Sequence, residues 1–264
     1  MRRRGGGLVS LDVEGPPVVI DAHAHLHGAE LDPGVEEECE AHGVDRIVVS
    51  SIANFRAFPS FEQVRQANAD LLAVRQRRPD LVECYCYVNP RHGAEGLADL
   101  RRNIAEGMVG IKLWIATTAD DPRVDPFVEL AVEHRMPILM HAWRKTVGQG
   151  PYETTAAHIA SIAARHPDAR IIMAHLGGQV ESAMTTIAPY ANVLTDTSGT
   201  LNSSGAVRMA VERLGPERVV FGSDMHGNCL AHNIGKVVSA DLPAEDAALV
   251  MGGTMQRLLA EVRR

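Results

Sequence analysis

The stretch Val18-Val19-Ile20-Asp21-Ala22-His23-Ala24-His25-Leu26-His27 decides the fold. It opens on β-branched, apolar residues and closes on imidazoles. A strand that is apolar along its length and polar at its C-terminal end is what a parallel α/β barrel requires, because the strand is buried and its end lines the active site. Side chains alternate along a strand, so Asp21, His23 and His25 are expected on one face, the barrel interior. Two imidazoles at i and i+2 reach a single metal ion, and three such polar groups would not be tolerated in an apolar core without a partner.

Working outward, seven more short apolar runs follow that at 18–25: residues 46–51, 81–88, 109–114, 137–142, 170–176, 192–197 and 218–224. Each is bounded by Gly, Pro, Asn or Asp. Helical patterns lie between them, at 33–42, 60–77, 94–106, 125–134, 153–166, 179–188 and 203–214, with 229–238 and 244–262 after the last strand. The spacing predicts an α/β protein, a (β/α)8 TIM barrel in a single domain over residues 16–264. Residues 1–15, with Arg2-Arg3-Arg4 and Gly5-Gly6-Gly7, are expected to form a flexible N-terminal tail. An open doubly wound sheet is the competing arrangement, but no Gly-rich phosphate fingerprint follows the first strand.

Composition narrows the function classes. The 264 residues carry 26 Lys+Arg against 33 Asp+Glu, a formal charge of −7, which disfavours nucleic acid as a partner. No apolar run approaches the roughly 18 residues of a membrane span. Asp12, Glu14, Pro16 and Pro17 interrupt any secretory apolar region, so a cytoplasmic location is expected. Cys39, Cys84, Cys86 and Cys229 show no disulfide-framework spacing and read as buried free thiols.

The other strand ends supply further polar groups to the same rim. They are His141 after the fifth strand, His175 after the sixth and Asp224 after the eighth. Lys112 falls within the fourth, where an interior lysine needs a carboxylate, a substrate anion or chemical modification. Trp114 and Trp143 follow consecutive strands and are expected as walls for an organic substrate. Arg144, or its neighbour Lys145, is a candidate for a substrate carboxylate, and Tyr152 and His226 are further substrate-binding candidates at the rim. His42, His92, His134, His158, His166 and His232 read as surface or capping residues.

Asp21-x-His23-x-His25, His141, His175 and Asp224 together resemble the amidohydrolase superfamily. The phrases Gly110-Ile111-Lys112-Leu113, Met173-Ala174-His175-Leu176-Gly177-Gly178 and Phe221-Gly222-Ser223-Asp224 look most like its amidohydrolase 2 branch of metal-dependent TIM-barrel hydrolases. The resemblance spans residues 18–259. It departs in Met225-His226-Gly227, where relatives carry an aromatic residue, Pro and His. It also lacks the Gly-Glu-x-Gly-Leu-Asp of TatD-type nucleases.

The resemblance implies one divalent metal, usually zinc, held by His23, His25, His141 and Asp224. His175 is then a catalytic group rather than a ligand. In two-metal members the counterpart of His175 binds a second metal and a carbamylated counterpart of Lys112 bridges the pair. Zinc in such a site lowers the pKa of a bound water to about 7. Asp224 then shuttles the water proton, and Asp21 orients a ligand imidazole or pins the strand. The leading expectation is a hydrolase of an amide, lactone or related carbonyl bond in a small molecule. A metal-dependent non-oxidative decarboxylase, a lyase, comes second. A metal-holding binding module without catalysis is the remote alternative. Barrels of this family often pair, so a homodimer is compatible. Eight β/α units nearly exhaust the chain, leaving the loops at 54–59, 117–124 and 143–155 to shape the site.

Overall fold

The structure is a computed structural model that describes residues 17–201 and 203–263. The tail expected over 1–15 lies outside the described residues. Eight parallel strands pair in sequence order: β1 (Ile20–His25), β2 (Arg46–Ser50), β3 (Val82–Tyr87), β4 (Gly110–Leu113), β5 (Pro137–Met140), β6 (Arg170–Met173), β7 (Val193–Asp196) and β8 (Val219–Val220). The barrel closes where Ala22 N–H donates to the Phe221 carbonyl at 2.9 Å and Asp224 N–H donates to the His23 carbonyl at 2.7 Å. The helices α1 (Pro33–Ala41), α2 (Phe61–Arg77), α3 (Gly93–Ala105), α4 (Asp125–Glu133), α5 (Ala156–Arg165), α6 (Val180–Ile187), α7 (Ser204–Leu214) and α8 (Leu230–Val238) alternate with the strands. The expected (β/α)8 TIM barrel is therefore the fold.

Two apolar layers hold it. Ile47, Val49, Cys84, Cys86, Ile111, Ile138, Ile171 and Val193 face outward and are buried beneath the helices. Val48, Tyr85, Val109, Leu139, Ile172, Leu194 and Val220 fill the barrel. The alternation between the layers is the period of 2 that makes each strand buried on both faces.

Within the strands, that alternation breaks in β1. Ile20 and Ala22 join the inner layer, whereas Ala24 joins the outer one. The register against β2 shifts between Asp21 and Ala24, a β-bulge that exchanges inside for outside. His23 and His25 thus face the interior, but Asp21 does not share their face, contrary to strict alternation. Tyr85 fills the gap by donating its hydroxyl to the Ala22 carbonyl at 3.1 Å.

The helix expected over 244–262 is divided into α9 (Ala244–Ala248), a wider turn at Leu249–Gly253 and α10 (Thr254–Ala260). Close approach explains the break: a Cβ on Gly252 would meet the Val18 carbonyl oxygen at 2.1 Å. From α10, Met255 and Leu258 pack into the inner layer. The helix expected from 153 begins at Ala156, leaving Glu153 in the preceding loop. Cys39, Cys84 and Cys86 are buried free thiols as expected, but Cys229 is exposed.

Candidate active site

The strand ends meet in one cluster. His23 Nε2 lies 3.2 Å from His25 Nε2 and 3.5 Å from Asp224 Oδ1. His25 Nε2 lies 3.2 Å from the same Asp224 oxygen. For ligand bonds of about 2.0–2.1 Å, the edge of a tetrahedron is about 3.3 Å. The three separations match that edge.

The remaining ring nitrogens fix where the lone pairs point. His23 Nδ1 lies 2.7 Å from Asp196 Oδ2, at the end of β7, and an ionised carboxylate can only accept. His25 Nδ1 lies 3.0 Å from the Ser50 carbonyl, which also can only accept. Both rings therefore carry their hydrogen on Nδ1 and turn an Nε2 lone pair toward Asp224. Three acceptors facing one another, two of them buried and the third partly so, are unfavourable unless a cation joins them. Lys112 Nζ, from inside β4, approaches His23 Nε2 at 2.8 Å from one side. The donor set, two imidazole nitrogens and a carboxylate, suits a borderline divalent metal.

Burial tunes these groups. It lowers His25 to about 4, against the pull of Asp224, and pushes His141 and His175 below the ordinary imidazole value. It also lowers Lys112 to about 8, although Asp224 and Asp196 oppose it. Burial works against ionisation of Asp196 and Asp224, yet both are held far below the usual carboxylate range. The neighbouring imidazoles oppose burial, His23 foremost at Asp196 and His25 foremost at Asp224.

A second knot sits on Asp196. Its Oδ1 accepts from the backbone N–H of His175 at 2.8 Å, from Ser198 N–H at 3.0 Å and from the Ser198 hydroxyl at 2.5 Å. With its hydrogen committed, Ser198 Oγ accepts from His175 Nδ1–H at 2.9 Å. The Nε2 lone pair of His175 then faces outward, 3.2 Å from His141 Nδ1. His175 and Asp224 both have left-handed backbone, φ 60°. Such strain is found where a site dictates side-chain direction. Gly199 makes room: a Cβ there would sit 3.0 Å from His175 Nδ1.

Among the described residues, two groups place three ligand atoms within 4.8 Å of one another: His23, His25 and Asp224, and His23, His175 and Asp196. His141 belongs to neither. It joins the cluster through His175 and contacts Glu153 Oε1 at 3.4 Å with Nε2. Glu153 is held at about 2; burial alone would raise it, but hydrogen bonds from His141, Lys145 and Gly150 dominate.

The walls are aromatic. Trp143 packs edge-on against His175, with ring centres 5.7 Å apart. Phe55 lies across the mouth, 6.3 Å from His25, 5.4 Å from His27 and 6.0 Å from Trp114. It ends a left-handed turn, Ala53, Asn54 and Phe55, with φ of 49°, 54° and 58°. Tyr152 does not touch the histidine cluster; it stacks beneath Arg91, 4.8 Å from the guanidinium, beside Phe58 at 5.5 Å. With Lys145 and Glu153 these two rings line a groove of about 250 Å³. Arg144 and His226 are exposed, and Lys145 is paired with Glu153 at 2.8 Å. Asp21 accepts from His23 N–H at 3.0 Å and from Ser223 N–H at 2.9 Å, so it pins β1 to the end of β8 rather than orienting an imidazole.

Sequence reading missed Asp196, Ser198, Glu153 and Phe55. The signal for Asp196 was present, a carboxylate at a strand terminus. Ser198 and Glu153 are defined only by loops that fold back on the cluster.

A (β/α)8 barrel whose strand ends converge histidines and aspartates on one mouth defines a metal-dependent enzyme class. The comparisons agree. The family described as Amidohydrolase matches residues 20–260, and the chain belongs to that family, making it an enzyme of the amidohydrolase superfamily. Among curated proteins no match to the sequence is found. The fold is similar to that of 2,6-dihydroxybenzoate decarboxylase from Rhizobium, at 17% identity and a TM-score of 0.76, over 92% of this chain and 98% of that one. It is also similar to 5-carboxyvanillate decarboxylase LigW from Sphingomonas paucimobilis, at 16% identity and a TM-score of 0.75, over 93% and 99%. A third is a dihydroxybenzoic acid decarboxylase from Polaromonas sp. JS666 with bound manganese and 2-nitroresorcinol, at 15% identity and a TM-score of 0.75, over 92% and 96%. No helix among the described residues is long and apolar enough to cross a membrane.

Proposed function

We propose that the protein is a metal-dependent, non-oxidative decarboxylase of a small, flat carboxylate, aromatic or otherwise unsaturated. The carrying observation is the set of rings around the histidine–aspartate cluster: Trp143 against His175, and Phe55, with Trp114 beside it, against His25. Aromatic walls suit a planar substrate. The similar barrels named above include enzymes acting on ring carboxylates, which moves decarboxylation ahead of hydrolysis, the leading expectation from sequence.

His23, His25, His141 and Asp224 would hold one divalent metal. When bound, it supplies a Lewis acid for the substrate carboxylate and a neighbouring oxygen. Manganese suits the same donors as zinc. One metal is preferred to two because Lys112 turns its ammonium to His23 and His175 faces His141. Lys112 adds positive charge for the carboxylate. The Nε2 lone pair of His175 takes a proton from a substrate hydroxyl or solvent and returns it to carbon. There the C–C bond breaks, its electron pair stays on the ring carbon, that carbon takes the proton, and CO2 leaves. Phe55 and Trp143 hold the ring plane and exclude water.

Hydrolysis of an amide or lactone is the second reading. It is favoured by Asp224, partly exposed beside His25 and placed to take a water proton. Incubation in 18O-water with hydroxylated benzoates, and in parallel with their amides and with lactones, separates the two. Released CO2 with a ring-protonated product supports decarboxylation; 18O entering a new carboxylate product supports hydrolysis and overturns it.

A further inference from the structure

The loop at 143–155 carries a buried acid that neither reaction uses. Glu153 is 9% exposed. Its Oε2 accepts from Lys145 Nζ at 2.8 Å, Gln149 Nε2 at 3.1 Å and Gly150 N–H at 3.3 Å. The loop is folded around this oxygen: Gln149 Oε1 accepts from Lys145 N–H at 2.8 Å, and Gln149 Nε2 donates to the Trp143 carbonyl at 3.0 Å. Trp143 N–H in turn donates to the Thr154 carbonyl at 2.9 Å.

Three donors hold one oxygen, so the other, Oε1, is left to face His141 Nε2. Two acceptors face the His141 ring, the Glu153 carboxylate at Nε2 and the His175 Nε2 lone pair at Nδ1, and the charged carboxylate is the stronger, so it draws the hydrogen of a neutral ring to Nε2. The lone pair is then on Nδ1, the nitrogen turned toward His175. This is the reverse of His23 and His25, whose hydrogens sit on Nδ1.

We infer that Glu153 is a positioning residue that fixes His141 in the Nε2–H tautomer and presents Nδ1 as its ligand atom. The role as ligand rests on the reading of His141 given above; the tautomer does not. The inference also removes Lys145 from the substrate-binding candidates, because its ammonium is the counterion that locks Glu153 in place.

The test is 15N NMR of histidine-labelled, metal-free protein, with the His141 signals assigned by their loss in His141→Gln. The expected result is a protonated Nε2 in the wild type. In Glu153→Gln the three donors keep the amide oxygen, so the amide NH2 faces His141 and the hydrogen moves to Nδ1. In Glu153→Ala the two tautomers mix, and competition between a chelator and zinc alone shows affinity about 10–100-fold weaker. Hydrogen on Nδ1 in the wild type, or an unchanged tautomer in Glu153→Gln, would overturn the inference. If His141→Gln binds zinc as tightly as wild type, the ligand reading fails while the tautomer result stands on its own.

Discussion

Asp196 joins what the sequence keeps far apart. One carboxylate orients His23 through Oδ2 and, through Oδ1 and Ser198, sets the direction of His175. Asp196→Asn replaces an acceptor by a donor, so metal affinity is expected to fall about 10–100-fold, read by chelator competition. His175→Asn should keep its metal and lose nearly all turnover; loss of about half the metal in that variant would instead indicate two ions. Phe55→Ala removes one wall of the site and should raise KM for a planar substrate more than it lowers kcat. The histidines were legible because imidazoles at a strand end have few structural uses. Asp196 was legible in principle, but Thr197, Ser198 and Gly199 made the end of its strand resemble an ordinary loop.

Strand existence and order followed from the apolar runs, and all eight observed strands begin within two residues of their expected starts. The β1 bulge did not, because a one-residue slip leaves no mark on a pattern already apolar on both faces. It decides which side chains enter the barrel, so Asp21 became a strand pin and His23 and His25 became candidate ligands. The break between α9 and α10 was likewise hidden, since Gly252 signals it only once the Val18 carbonyl is known to lie against it. Arg218, just before β8, shows how a single residue finishes an element. Its guanidinium donates to the carbonyls of Ile187 and Ala188 at the end of α6 and of Tyr190 and Val193 beyond it. Arg218→Ala removes these four bonds, although the Ile187 and Tyr190 carbonyls keep the backbone N–H groups of Tyr190 and Val193, and should cost about 2 kcal/mol by urea unfolding. An unchanged midpoint would show that water replaces it freely.

The whole barrel concentrates neutral imidazoles in a buried mouth, and its stability should depend on pH accordingly. His25 is lowered to about 4 from 6.5, and His141 and His175 are lowered as well. Between about pH 6.5 and 4 the unfolded chain therefore binds more protons at these positions than the folded one. Their stabilisation is present above the ordinary histidine value and is lost as the pH falls through that interval. Asp21, raised from 3.8 to about 6 by burial, works in the opposite direction between those two values, but it is one group against three. The Tm of chelator-treated protein should fall from pH 6.5 to 4; a flat or rising Tm would contradict the neutral-imidazole cluster.

The proposed chemistry depends on a metal at the mouth of the barrel. Anomalous diffraction at the metal edge, from crystals grown with zinc or manganese, tests that claim most directly. The account predicts a peak about 2.0–2.2 Å from His23 Nε2, His25 Nε2 and Asp224 Oδ1. A map with no peak there, or with one held by His23, His175 and Asp196 instead, would contradict it.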